Sequence, residues 1–506
     1  MQQYKLYIVL FTFVCFNFIS CSDFLKEESS NQVKPITVED FKQLLIGEVY
    51  PLTDDMYPLL DYLTDDVQNK YPTDNYGLAS VNKYKYFFTW NQDMHVLAKQ
   101  EGANNYNHYK FFYEKIMGCN VILESIDNAV GDNNERGNVK GQALTMRAFY
   151  YLNLVNIYGM PYTMGEPHTD LGVPIILHPD VSDKLLSRAT VQEVYNRIIT
   201  DLKAAEVLME KYGQGNLMYK ASYKLVLALM ARVYLYMGDW NKSLAYSDIL
   251  IKKYPELQKL KAINPYNKDY SSNVYAQNSP EIIWAVGESI REKGKHPDFP
   301  YTSNPSGDET IIAWSVADEV MNLYTKDNNN VVDYRKDSYI FSALTGYYFD
   351  EITFEFTYIY SNAYASKSDK VKSPNEGVRM SEIYLNYAEA NIQLAKENKG
   401  GDLNKAMWAL NKLRSHRFAD GYSDVTLTDI NEIWEFYQEE RRRELIHECG
   451  HRWFDIRRWG IVGFVHKTEF TKGEYSEYIF DNKNKYALPI PADVIERNPA
   501  IVQNKY

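Results

Sequence analysis

At 506 residues, with 45% hydrophobic and 24% charged residues, the chain can bury a sizeable core, either as two or three domains or as one large helical body. A formal charge of −12, spread without long acidic blocks, argues against a nucleic-acid partner held through phosphate contacts. The 44 tyrosines and 8 tryptophans, many in stretches rich in Asn, Asp, Pro and Ser, are either core filling or flat amphipathic rings displayed for a ligand.

The N-terminus carries a leader. Lys5 supplies a minimal positive region, and Leu6 to Ile19 form an apolar stretch too short to span a bilayer. It runs into Phe18-Ile19-Ser20-Cys21, which resembles a bacterial lipoprotein cleavage box with Cys21 as the acylated first residue of the mature chain. Several acyl chains on one cysteine hold a membrane far more firmly than a single chain. Ser22 and Asp23, then Lys26, Glu27 and Glu28, give a polar, acidic start that resembles the surface-export signal of Bacteroidetes-type lipoproteins. Residues 1–20 therefore read as a signal peptide and 21–36 as a tether. Cys15 lies in the leader, and the two remaining thiols, Cys119 and Cys449, do not make a disulfide framework in a chain of this size. No later segment approaches an apolar run long enough for a transmembrane helix.

Residues 37–263 read as helical pairs, with a loop-rich, tyrosine-crowded excursion at 50–92. From Thr190, the residues Val191, Val194, Ile198, Leu202, Ala205 and Leu208 fall three or four apart on one face, and Thr190 with Glu193 makes a capping box. Ala221 to Met237 is apolar nearly all round and must be buried. It ends at Gly238-Asp239-Trp240, and a further helical run follows from Asn241 to Lys253. Ala228, Ala231, Tyr234 and Ala245 are spaced like a tetratricopeptide unit, with small residues where two helices cross closely. Residues 106–127 with 135–158, and 379–396 with 402–417, look like looser copies, with Ala143, Ala148, Ala388, Ala390, Ala406 and Ala409 at the small positions.

Between 264 and 376 the texture changes to Pro, Gly, Ser and Asn, with short strand-like runs at Glu281 to Val286 and Ile352 to Tyr358. This reads as an irregular mixed α/β insertion, the usual place for a binding site on a rigid scaffold. Residues 377–506 return to helix and complete the scaffold.

Several marks in order resemble the SusD/RagB family: Arg147 to Leu152 running to Tyr158-Gly159-Met160-Pro161, Gly172-Val173-Pro174, Arg379 to Ala390, and Ala409 to Arg414. The most specific is Glu440 to Leu445 continuing into Gly450 to Asp455 and Arg458-Trp459-Gly460, after which come Leu488 to Pro491 and Asn498-Pro499. Cys449, between Glu448 and Gly450, departs from the family pattern. The resemblance implies a mainly α fold of tetratricopeptide-like helix pairs with a loop-rich ligand face. It also implies a lipid-anchored outer-membrane protein facing the exterior, which captures glycan or oligosaccharide for a SusC/RagA-like TonB-dependent transporter. A RagB-like uptake of peptides is the alternative. In either case the protein is not an enzyme and needs no cofactor.

Two motifs compete with that reading. His447-Glu448-Cys449-Gly450-His451 matches the H-E-x-x-H pattern of a zinc protease, but Gly450 weakens the required helix and Arg441 to Arg443, Arg452, Arg457 and Arg458 surround it. Glu439, Glu440, Glu444 and Glu448 among those arginines, and Arg452 three residues from Asp455, read instead as an ion-pair belt of neighbours three and four apart. Asp54-Asp55 and Asp65-Asp66 could be glycosidase carboxylates, though loop doublets are more simply solvated. For a sugar ligand, aromatic faces and polar groups from 50–92 and 296–316 are expected to converge, with Trp90, Tyr301 and Trp314 as stacking platforms and Asp66 bonding hydroxyls. Trp284 reads as the inward face of a strand, and Trp240, Trp408, Trp434, Trp453 and Trp459 as core.

Cys21→Ala is expected to release the protein in soluble form. A variant that still fractionates with the outer membrane when its partner transporter is absent contradicts the lipoprotein reading.

Overall fold

The computed structural model describes residues 35–51, 57–72, 75–103, 107–179, 185–213, 217–263, 271–286, 313–325, 331–350, 353, 355–365 and 376–506. Cys21, Tyr301 and Asp54-Asp55 lie outside these residues. The chain is mostly helical. It opens with α1 (Val38–Leu44), α2 (Pro58–Asp61), β1 (Val67–Asn69), α3 (Asn75–Phe88) and α4 (Met94–Gln100). The body follows as α5 (His108–Ser125), α6 (Asn133–Tyr158), α7 (Val191–Tyr212), α8 (Tyr223–Tyr236) and α9 (Trp240–Lys253). The insertion holds β2 (Ile282–Ala285), β3 (Trp314–Val316), α10 (Asp318–Leu323), α11 (Arg335–Tyr339), β4 (Ile340–Asp350) and β5 (Glu355–Ala365). The chain closes with β6 (Gly377–Arg379), α12 (Met380–Lys396), α13 (Leu403–Arg414), α14 (Ile430–Glu444), α15 (His451–Arg458), β7 (Val465–Thr471), β8 (Glu474–Ile479) and α16 (Ala492–Arg497). No helix among the described residues is long and apolar enough to cross a membrane.

Helices pack as successive neighbours from α5 through α9, then α9 on α12 and α12 on α13 and α14, as in a stack of tetratricopeptide-like pairs. The small residues make this close approach possible: Ala143, Ala148, Ala228, Ala231, Ala388, Ala390, Ala406 and Ala409 are all buried. Gly141 shows the limit, since a Cβ there would lie 2.5 Å from Met209 Sδ on the facing helix α7. The capping box that starts α7 is formed, with Glu193 N donating to Thr190 Oγ1 and Thr190 N to the Glu193 carboxylate. The α7 stripe runs inward as read, except that Met209 rather than Leu208 takes its last buried place. Every residue of α8 but Lys224 is buried.

Two regions differ from the sequence reading. Residues 75–88, assigned to a loop-rich excursion, are the helix α3, whose Val81, Tyr84 and Phe88 recur every three or four residues and bury. The C-terminal region also folds a hairpin, β7–β8, turning at Lys472-Gly473 with Gly473 at φ +80°. The insertion is welded to the scaffold by short antiparallel pairs, β2 with β6 and β1 with β3. At the first of these the backbones touch, since a Cβ on Gly377 would fall 2.1 Å from the Trp284 carbonyl oxygen.

Beneath that weld lies a buried network of five guanidiniums and five carboxylates. Arg379 bonds Glu281 (2.6 Å), Glu444 (2.8 Å) and Glu448 (2.6 Å). Arg417 bonds Glu281 (2.9 Å) and Glu444 (3.0 Å), and Arg335 bonds Asp333 (2.7 Å), Glu440 (2.7 Å) and Glu444 (3.3 Å). Arg414 (2.7 Å) and Arg443 (3.0 Å) complete the shell of Glu440. The expected belt of neighbours three and four apart is thus a minor part, because most pairs join residues distant in sequence. Arg452 does not pair with Asp455 as read; it reaches Asp65, and Asp455 instead receives Arg441 (2.7 Å) and Arg458 (2.8 Å).

Removing one partner of a buried ion pair leaves an uncompensated charge, so Arg379→Ala is expected to cost about 3–5 kcal/mol in denaturant unfolding. A loss below about 1 kcal/mol, the scale of surface pairs, contradicts this role. Burial alone would push the Glu444 carboxyl up, but the guanidiniums of Arg417 and Arg379 outweigh it and hold it at about 2. Burial is likewise outweighed at Glu382, held at about 2 by Arg232. Both folded values lie below the unfolded Glu value of about 4.3, so their stabilisation is present above that pH and is lost as pH falls through the folded values. The melting temperature is expected to stay level from about pH 7 to 5 and to drop steeply between about pH 4.5 and 2. A level profile down to about pH 3 contradicts the network's charge state.

Candidate functional site

Of the two segments expected to converge, the described ends meet, 66–70 with 313–317, while 296–312 lie outside the described residues. Val67, Gln68 and Asn69 of β1 pair with Val316, Ser315 and Trp314 of β3, Ala317 N donates to Asp66 O (2.8 Å), and Lys70 N donates to Ala313 O (3.1 Å). β7 lies along the other side of β1, where Glu469 N donates to Asn69 Oδ1 at 3.0 Å. The segment 287–312, which contains Tyr301, joins this junction at Ala313.

Two of the three rings named as platforms, Trp90 and Trp314, face the wrong way for stacking. Trp90 is 2% exposed and Trp314 is 0% exposed, so neither offers a face to a ligand. Trp90 follows α3 at φ +49°, its Nε1 donates to Leu63 O (3.0 Å), and its ring stacks on His466 of β7 at 4.3 Å. Trp314 meets the edges of Tyr62 and Phe88, each with centroids 5.0 Å away. The junction is covered by β7 and α3, and the indoles fill the space between them.

Asp66 is also corrected. It is buried, with Oδ1 accepting from Arg442 Nε at 2.6 Å, while Asp65 receives both Nε and Nη2 of Arg452 at 2.7 Å. Burial drives the Asp65 carboxyl up, but Arg442 and Arg452 outweigh it and hold it well below the usual range. Burial raises Asp66 despite the same two arginines, and the Asp65 charge adds to the rise. The doublet is therefore an ion-paired clamp from β1 to α14 and α15, not a solvated pair and not two carboxylates offered to a sugar.

The zinc-protease pattern has no helix to stand on. α14 ends at Glu444 and α15 begins at His451, while His447, Cys449 and Gly450 adopt left-handed φ values of +45°, +50° and +65°. Glu448 accepts from Arg379 (2.8 and 2.6 Å) and from the Tyr275 hydroxyl (2.7 Å), which holds it as an ion-pair acceptor. Cys449, the departure from the family pattern, packs against β6: its Sγ accepts from Gly377 N and donates to Gly377 O, both at 3.2 Å. Among the described residues no three metal-binding side chains gather.

What the junction does display was missed in the sequence. On the hairpin, Tyr475 is 79% exposed and Tyr478 39%, and half-buried Phe470 links Tyr478 (6.5 Å) to Trp314 (6.4 Å). Gln68 adds a surface amide, donating to Ser315 Oγ (3.2 Å) and Asp318 Oδ1 (3.1 Å). The signal was available: Lys472-Gly473 between alternating residues marks a hairpin. Two clefts lie elsewhere, one of about 210 Å³ between α1 and α6 beside Tyr50 and Gln142, the other of about 380 Å³ between α4 and α16 beside His95 and Asp493. None of Trp90, Trp314 and Asp66 lines either cleft.

Comparison with known proteins follows this geometry. A family profile described as starch-binding, associating with outer membrane, matches residues 23–235, and a SusD family profile matches 259–506. A SusD-like protein of Formosa agariphila is 22% identical across 98% of both chains, and a second from the same organism is 26% identical across 78% of both. The fold matches a SusD superfamily crystal structure from Bacteroides thetaiotaomicron with TM-score 0.65 at 22% identity, covering 93% of this chain and all of that one. It also matches a SusD-like carbohydrate binding protein from Bacteroides vulgatus with TM-score 0.61 at 19% identity, covering 92% and 97%. With two profiles in succession spanning nearly the whole chain on a scaffold of stacked helix pairs, the chain belongs to the SusD/RagB family.

Proposed function

We propose that the protein binds oligosaccharide at the cell surface and passes it to a SusC-like TonB-dependent outer-membrane transporter, held to the outer leaflet by acylated Cys21. The observation that carries this reading is the pair of family profiles, the first of which describes starch binding in association with the outer membrane. The name of the Bacteroides vulgatus neighbour, a carbohydrate binding protein, agrees with it. The protein performs no chemistry in this reading: the carboxylates Asp65, Asp66, Glu444 and Glu448 are all engaged by arginines.

Ligand contact is assigned to the face where β1, β3 and β7 meet. Tyr301 is kept as a stacking platform, and the exposed Tyr475 and Tyr478 of the hairpin are added as further candidates. Aromatic rings and nearby amide and carboxylate groups such as Gln68 and Asp318 suit pyranose faces and hydroxyls.

The test is calorimetric titration of the purified protein with a panel of neutral oligosaccharides and, in parallel, a mixed pool of short peptides. Binding to panel members and not to peptides is expected, and the reverse outcome contradicts the glycan reading in favour of peptide uptake. Tyr301→Ala is expected to weaken oligosaccharide binding several-fold, about 1 kcal/mol or more, with an unchanged melting temperature. Trp314→Ala is expected to act on folding instead, at a cost of about 3–5 kcal/mol. A Trp314→Ala variant of native stability with lost affinity would restore that ring to the ligand face.

A further inference from the structure

Of the eight tryptophans, Trp408 alone is largely exposed, at 48%. Trp90, Trp284, Trp314 and Trp453 are buried, and Trp240, Trp434 and Trp459 are half-buried. It was expected in the core, yet the inward stripe of α13 is filled by Ala406, Ala409, Leu410 and Leu413, which leaves position 408 on the outer side. The ring is supported from behind by α12: Tyr384 lies tilted at 5.9 Å and Tyr387 edge-on at 6.1 Å, both buried. Tyr384 is itself fixed by donating its hydroxyl to Pro255 O at 2.9 Å.

The rim is polar. Asn404 and Lys405 are exposed one turn before Trp408 on the same helix, and Lys412 stands one turn after. Across the groove, Asp248 of α9 is ion-paired to Lys252 at 2.5 Å, and both, with Asp402, act electrostatically on the Tyr387 hydroxyl. One exposed indole, with amide and ammonium groups a turn away along its own helix, offers an apolar area about the size of a single sugar ring. That is far short of the roughly 800 Å² per partner of a stable protein interface. An amphipathic polyol, with an apolar C–H face and hydroxyls at its edge, fits such a surface better than a protein core does.

We propose that Trp408 is the stacking platform of a second oligosaccharide subsite, carried on the α12–α13 pair of the scaffold. This rests on the glycan-binding reading above and extends it: a long chain would be held at the insertion face and, in addition, over the helices. Bivalent contact raises the apparent affinity for long chains above that for short ones.

The experiment uses the full soluble chain and the panel oligosaccharide that the wild type binds, in short and long forms. Because Trp408 is the most accessible indole, it should dominate acrylamide quenching of the intrinsic fluorescence, and bound oligosaccharide should protect it. Trp408→Ala should abolish that protection and weaken the long chain several-fold while leaving the short chain bound through Tyr301. Trp408→Phe, which keeps a ring, should restore most of the long-chain affinity and guards against a folding defect in the alanine variant. Wild-type binding with unchanged quenching, or Trp408→Ala indistinguishable from wild type on long chains, overturns the second subsite and leaves the main reading intact. A Trp408→Ala variant that binds sugar normally but no longer co-purifies with an outer-membrane protein assigns the ring to a protein interface and likewise overturns it. If the wild type binds no panel member, the glycan reading itself fails, and the second subsite fails with it.

Discussion

Ten charges withdrawn from water between the insertion and the scaffold are the constraint on which the rest of this structure depends. Taking an ion into a protein interior costs several kcal/mol, and the cost is offset only when each charge finds well-placed opposite partners. Here Glu444 is bonded by Arg335, Arg379 and Arg417, and Glu440 by Arg335, Arg414 and Arg443. Guanidinium forks are directional, so these pairs fix the axial position and rotation of α14 against β6, α11 and α13. Three consecutive residues of α14 then fan outward: Arg441 to Asp455 of α15, Arg442 to Asp66 beside β1, and Arg443 back to Glu440. One helix thus sets the position of the insertion, of α15 and of the strand that leads to the proposed ligand face.

Much of the scaffold was legible in the sequence because its determinants are local. The capping box at Thr190, the three-and-four spacing from Val191 to Ala205 and the alanines at helix crossings are all read within a few residues of themselves. The proposed ligand face was legible only in part. That 50–92 and 296–316 would meet is an expectation from their composition together with the family resemblance, and among the described residues Asn69 opposes Trp314. The direction of the rings was not legible, because it depends on partners far along the chain: Trp90 is stacked by His466, and Asp65 and Asp66 are captured by Arg452 and Arg442. Trp408 is the opposite case. Its outward position was implicit in the local spacing of Ala406, Ala409, Leu410 and Leu413, and the family-like helical signature around it drew attention from that spacing.

The same logic explains how the residues of motifs that look catalytic are held here. A histidine or carboxylate acts when its lone pairs meet a substrate; here Asp65, Asp66, Glu440, Glu444 and Glu448 are answered by arginine. Glu448 and its neighbours show it most clearly, because the H-E-x-x-H letters fall where one helix has ended and the next has not begun. A rigid, charge-locked body that presents aromatic and amide side chains at its edge suits capture and release.

Amide hydrogen exchange followed by mass spectrometry as the pH is lowered tests the central claim most directly, once intrinsic exchange rates are corrected for pH. If the buried network joins the insertion to the scaffold, peptides covering β2, β6 and α14 should share one high protection at neutral pH and lose it together as the carboxylates protonate. Loss of protection in β2 and β6 while α14 stays closed would contradict the account, because it would mean that the insertion opens independently of the charges proposed to hold it.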